Sequence, residues 1–191
     1  MIPSLNHAGV LPPFLSTVGP THSAAMAPYP ATLLEVVQRF ASSPQRISIL
    51  RGLLNYRKQL RDAGIIDGFQ WIDGSYMEDC ERHRSRPPRD IDLVTFAERP
   101  TCCQDPAVWR TFVDSNHNLF DRTLLKKNYF CDAFYVDLGL PGKAIVSQSR
   151  YWFGLFSHQR VTYLWKGLLE IPLQADDAEA LSLLGGIDHA S

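Results

Sequence analysis

Phe69-Gln70-Trp71-Ile72-Asp73-Gly74-Ser75, followed after an arginine-rich loop by Pro88-Arg89-Asp90-Ile91-Asp92-Leu93-Val94-Thr95-Phe96, is the stretch on which the reading of this chain turns. Asp67-Gly68 is a turn signal, and residues 69–72 read as a short strand running into Gly74-Ser75, where a helix or turn is expected to start. Residues 90–96 read as a second strand. Side chains alternate faces along a strand, so Asp90 and Asp92 share one face while Ile91 points into the core. Two adjacent carboxylates repel and raise each other's pKa, and a cation relieves that cost. Oxygen ligands select a hard ion, and two carboxylates completed by phosphate oxygens describe a Mg²⁺ (or Mn²⁺) site. Fourteen residues separate Ser75 from Asp90. Glycine permits close backbone approach, a helix N-terminus offers unpaired N–H groups to phosphate, and the serine hydroxyl adds a donor. The two elements together describe a site for a nucleoside triphosphate and the metal that bridges its phosphates.

Chemistry of this kind rests on positioning and charge neutralisation, and a two-metal arrangement calls for a further carboxylate. Residues 129–138 read as a strand rich in aromatic residues, and it offers Asp132 and Asp137. An odd separation puts these two on opposite faces, so only one can join the site. Asp132, at the strand's start and on the face of Phe134 and Val136, is preferred on pattern alone. Asp90, Asp92 and Asp132 are therefore the candidate catalytic and metal-binding residues, with Gly74 and Ser75 candidates for nucleotide binding.

Working outward, helices are expected over 31–41 and 44–63. Ser43 caps the second, Pro44 suits its first turn and Gly64 its end. Ile49, Leu53, Tyr56 and Leu60 form its buried stripe, while Arg46, Arg51, Arg57, Lys58 and Arg61 lie off it and read as a solvated face. Asp105-Pro106 starts another helix with Trp109, Phe112 and Val113 on its apolar side. A short helix follows at 122–128, then a helix over 143–158 with Ile145, Val146, Trp152, Phe153 and Phe156 inward. The spacing predicts a last strand over 166–173, an edge or ending strand because of Pro172, and a helix over 176–184. The order implies an α/β (α+β) layer arrangement: a small mixed β-sheet flanked by helices. Residues 1–30, with six prolines, read as an extended arm. Val10, Leu11, Phe14 and Leu15 give it a face to pack on the domain formed by 31–191.

Composition bounds the rest. The 191 residues are 45% hydrophobic with a formal net charge of -1, which fits a packed core and gives no bulk attraction for polyanions. The four cysteines form no CxxC pair, so reduced thiols are expected rather than a zinc site. With neither a signal peptide nor a membrane span in the pattern, the expected address is the cytoplasm.

Three groups of basic or aromatic side chains stay open at this point. Arg82, Arg84, Arg86 and Arg89 read either as a flap on triphosphate or RNA, or as a loop kept soluble by charge; Arg89, beside Asp90, is taken as a nucleotide-binding candidate. Lys166 and Arg160 read either as surface charge beside a strand or, one of them, as the cation that neutralises the γ-phosphate; Lys166 is taken as a nucleotide-binding candidate. Trp152 is expected in the core.

Gly74-Ser75, Asp90-Ile91-Asp92-Leu93 and the later strand aspartate resemble the minimal signature of the DNA polymerase β-like nucleotidyltransferase superfamily. Segments 9–14, 70–75, 88–92, 151–154 and 165–167 are similar to a poorly characterised bacterial family within it. The resemblance implies the nucleotidyltransferase fold, an NTP such as ATP bound with Mg²⁺, and transfer of an NMP to a hydroxyl on a protein or tRNA. It also implies a toxin–antitoxin or phage-defence setting. Two departures stand out: Asp73 occupies a place the superfamily fills with an apolar residue, and the spacing from Ser75 to Asp90 is long. The alternative is a catalytically silent nucleotide-binding module whose apolar arm docks a protein partner in an antitoxin-like role. A third reading is a nucleic-acid binder using the arginine loop.

Overall fold

The computed structural model describes residues 1–160 and 162–189, so the last two positions of the expected 31–191 domain lie outside it. Five strands form one mixed sheet. They are β1 (Tyr29–Pro30), β2 (Gly68–Asp73), β3 (Ile91–Ala97), β4 (Cys131–Asp137) and β5 (Leu169–Pro172), in the order β1-β5-β2-β3-β4. β2 runs antiparallel to both β3 and β5, whereas β3 is parallel to β4 and β1 to β5. Helices α1 (Leu33–Phe40), α2 (Pro44–Asp62), α3 (Cys80–Arg84), α4 (Pro106–Ser115), α5 (Arg122–Tyr129), α6 (Gly142–Phe156) and α7 (Asp177–His189) flank it. Among the described residues no helix is long and apolar enough to cross a membrane.

Local chemistry explains the helix starts. The Ser43 hydroxyl accepts from the Arg46 N–H with Pro44 in the first turn, and Asp105 accepts from Ala107 and Val108 N–H ahead of Pro106. Thr32 and Glu35 form a reciprocal capping box on α1. α2 then buries Ile49, Leu53, Tyr56 and Leu60. Gly52 lets it approach α5: a Cβ there would stand 1.9 Å from the Tyr129 carbonyl oxygen.

Two faces of the sheet are distinguished by register. Phe69, Trp71, Val94, Phe96, Phe134 and Val136 lie on the face that carries Asp73, Asp92 and Asp132. α6 covers the aromatic part of that face, with Phe153 against Trp71 and Trp152 against Phe134. α4 packs on the opposite face, through Trp109 against Tyr135. The acidic end of the first face lies beyond this aromatic layer, where β2 ends and β3 and β4 begin.

Several expectations need correction. Arg46 and Arg57 do not belong to a solvated face; they are 3% and 0% exposed. The Arg57 guanidinium pairs with Asp177 and donates to Gln70 Oε1 and to the Pro172 and Leu173 carbonyls, tying α2 to β2, β5 and α7. Helical periodicity cannot reveal a cation whose counter-ion, Asp177, lies 120 residues away. Val146 is 69% exposed rather than inward, because α6 packs mainly through its C-terminal half. The last strand is shorter than 166–173 and is flanked on both sides, since the unforeseen β1 pairs with it; Pro172 ends it. Tyr129 belongs to α5, not to the following strand, and Phe130 makes the bend between them. The arginine segment is no plain loop, because Asp79 caps a short helix at 80–84.

The N-terminal segment lies on the body of the protein. Val10 and Leu11 are buried, and Leu11 joins the main core. The Leu11 carbonyl accepts from Gly167 N–H and the Gly9 carbonyl from Asp79 N–H, so the segment touches the loops on both sides of the acidic end.

Candidate functional site

The strand register assembles a row of three carboxylates. Asp73, the last residue of β2, is paired with Asp92 on β3, and Asp92 with Asp132 on β4. Neighbouring strands stand about 4.8 Å apart, so three acids in one row on one face cannot avoid each other's fields. Asp90 precedes β3 by one residue and joins the group through α5: Lys126 Nζ is 2.5 Å from Asp90 Oδ2 and 3.4 Å from Asp132 Oδ2. Asp137 is at the far end of β4, in a salt bridge of 2.8 Å with Arg99. The register therefore puts Asp132, and not Asp137, beside Asp92.

Gly74 closes the row from below. Its backbone adopts φ 85° and ψ −169°, a region open essentially only to glycine. A Cβ on it would lie 2.1 Å from Asp92 Oδ2, so the turn and Asp92 are in direct contact because residue 74 has no side chain. Ser75 begins the following 3₁₀ turn, Ser75–Met77, and is part-buried. Arg46 holds this turn from beneath, donating to the Tyr76 carbonyl at 2.7 Å and the Glu78 carbonyl at 2.6 Å, and pairing with Glu81.

The charges are unevenly compensated. Asp132 receives both Nε and Nη2 of Arg122 and lies near Lys126; this hydrogen bonding holds its carboxyl below the usual range. Asp73 pairs with Lys166 at 2.8 Å through Oδ2, but its Oδ1 is buried without a hydrogen-bond partner among the described residues. Burial pushes the Asp73 carboxyl up to about 6 despite Lys166. Asp92, at the centre, has no hydrogen-bond or ion-pair partner among the described residues. Burial first, then the charges of Asp90, Asp73 and Asp132, push it up to about 7. Carboxylate oxygens gathered in one row are the donor chemistry a hard divalent cation takes, so the residue types of the set fit Mg²⁺ or Mn²⁺. As the side chains stand, however, no three His, Cys, Asp or Glu among the described residues form a closed metal cage. Arg122 and Lys126 draw Asp132 and Asp90 toward α5 instead.

Lys166 is placed differently from its expected role. It is 3% exposed, and its ammonium is committed to Asp73 Oδ2 at 2.8 Å and Glu78 Oε1 at 2.9 Å. Burial alone would lower its pKa, but the two carboxylates outweigh that and hold it above its usual value. It serves as a buried counter-ion behind the row rather than a free cation for a phosphate. Arg89 is exposed, next to Asp90 in the chain. Arg84 is spent on Glu78.

The residues that sequence reasoning missed are Asp73, Glu78, Arg122 and Lys126. Asp73 stood out only as a departure from a pattern. Arg122 and Lys126 carried a legible signal: four residues apart on a helix they share a face, and the short connection to β4 turns that face toward Asp132.

Residues 3–172 match the family described as a family of unknown function (DUF6932), and the chain belongs to that family. Neither the curated proteins nor the solved structures give a match.

Proposed function

We infer that the chain is a Mg²⁺-dependent nucleotidyltransferase of the DNA polymerase β-like kind, moving an NMP from an NTP to a hydroxyl on a protein or tRNA. The observation that carries this reading is Asp92. It is the one acid of the row with no hydrogen-bond or ion-pair partner among the described residues, wedged between two other aspartates, with the Gly74-Ser75 turn in contact with it. A fold keeps such a repulsion only where something outweighs it, and a bound cation does. In this reading Asp90, Asp92 and Asp132 hold the metal, while the Gly74-Ser75 backbone and hydroxyl orient the phosphates. The metal, when bound, supplies neutralisation of the charge that builds on the transferring phosphoryl group. Arg46 keeps the turn in place from beneath, and Lys166 holds Asp73 beside Asp92.

Incubation with labelled NTPs, Mg²⁺ and cell lysate tests the reading. A labelled macromolecule is expected, and its label is lost in the Asp90→Ala, Asp92→Ala double variant. Label that persists in that variant removes these residues from the chemistry. Nucleotide binding with no transfer to any acceptor would instead support the silent, partner-binding module.

A further inference from the structure

The position of Lys166 leaves the proposed triphosphate without the cation the sequence offered, and α5 supplies others. Arg122 and Lys126 side chains are 58% and 51% exposed, although the side chains they pair with, Asp132 and Asp90, are only 8% and 18% exposed. Their outer surfaces line a cleft of about 410 Å³ together with Thr123 and Lys127. Three cations and a hydroxyl on one side of α5 thus border one open, solvent-filled hollow, and two of those cations reach the acidic row. Arg122 also lies 4.7 Å from the centre of the Phe134 ring, which holds the guanidinium at the edge of the row.

We propose that Arg122 and Lys126, with Lys127, form the polyphosphate-binding face of the site. In the resting protein they neutralise Asp132 and Asp90, and when a divalent cation takes those carboxylates they turn to the phosphates of the NTP. The inference rests on the reading above and adds residues to it. A cation on Asp132 meets Arg122 on both carboxylate oxygens, and one on Asp90 Oδ2 meets Lys126. Arg122 and Lys126 therefore compete with it there, and a guanidinium fork that fits a carboxylate also fits a phosphate. Half-exposed side chains on a surface helix can make that exchange; the buried Lys166 cannot.

The exchange predicts changes of opposite sign in two binding measurements on the full-length chain. With Mn²⁺ alone, followed by electron spin resonance, Arg122→Gln and Lys126→Gln should each bind the ion several-fold more tightly, because a competitor for the carboxylates is gone. With Mg²⁺ and inorganic tripolyphosphate, followed by calorimetry, each should bind about ten-fold or more weakly, the usual loss for a charge-assisted phosphate contact. Arg110→Gln, an exposed arginine on α4, should change neither. Tripolyphosphate that binds the wild type and both α5 variants equally overturns this assignment and leaves the nucleotidyltransferase reading intact. Weakened binding of both probes marks a merely structural role and also overturns it. No binding of tripolyphosphate to the wild type sinks the assignment and the reading together. An oligoribonucleotide that binds more tightly than tripolyphosphate, and is lost in the same variants, would give the cleft to a nucleic-acid backbone instead.

Discussion

Asp92→Asn should make this protein more stable while removing its divalent-cation site, and the size and pH dependence of the effect follow from the acidic row. The Asp92 carboxyl is raised from 3.8 to about 7 by burial and by three neighbouring aspartates. Each unit of displacement corresponds to roughly 1.4 kcal/mol, so a fully ionised Asp92 costs the fold at most about 4 kcal/mol. Asparagine keeps the shape and removes the charge, but its amide remains polar in a part-buried place, so the expected gain is about 2 kcal/mol. For a chain of this length that corresponds to a rise in Tm of about 4–8 °C. The sign is fixed by linkage. Because the folded pKa lies above the unfolded one, the wild type loses stability from this group as pH rises from about 4 to about 7, and the variant does not. The gain should therefore be full at pH 8 and nearly absent at pH 4. Urea denaturation at the two pH values, without divalent ions, reads it. A variant that is no more stable than wild type at pH 8, or equally stabilised at both pH values, would refute the claim that the row is repulsive.

Other substitutions probe the surroundings of the row. Gly74→Ala forces a glycine-only backbone and drives Cβ against Asp92 Oδ2 at 2.1 Å. It should cost about 2–3 kcal/mol in denaturation and abolish Mn²⁺ binding, whereas unchanged stability would mean the turn does not touch Asp92. Lys166→Met leaves Asp73 and Glu78 buried without their shared cation. It should cost about 3–5 kcal/mol at pH 8 and less at pH 5, where Asp73 takes up a proton; a loss independent of pH would contradict the pairing. Arg57→Met strips Gln70 Oε1 and two carbonyls of their donor and leaves Asp177 with Arg61. A loss of about 3–5 kcal/mol is expected, and a loss below about 1 kcal/mol would show that the network is not what joins α2 to the sheet.

Much of the frame was legible because short-range rules decide it. The cap at Ser43-Pro44, the Asp105-Pro106 start and the stripe from Ile49 to Leu60 each depend on a few neighbouring residues, and the structure has them there. Strand alternation was enough to put Asp132 and Asp137 on opposite sides, whereas Asp90 precedes β3 and reaches the row through Lys126. Register was not legible. Nothing local says that Asp73 pairs with Asp92 or that Asp132 falls in the same row, because those pairings are set by how β2, β3 and β4 dock. Charge partners were hidden for the same reason. Lys166 looked like a free cation because Asp73 and Glu78 are distant in sequence, and Arg46 and Arg57 looked solvated because their partners lie on other elements.

The most direct measurement is an anomalous-diffraction map from crystals holding Mn²⁺ and a non-hydrolysable NTP. The account predicts a manganese peak coordinated by Asp92 with Asp90 or Asp132, phosphate oxygens completing the shell against the Gly74-Ser75 turn. A peak elsewhere on the chain, or a nucleotide bound away from this row, would contradict it.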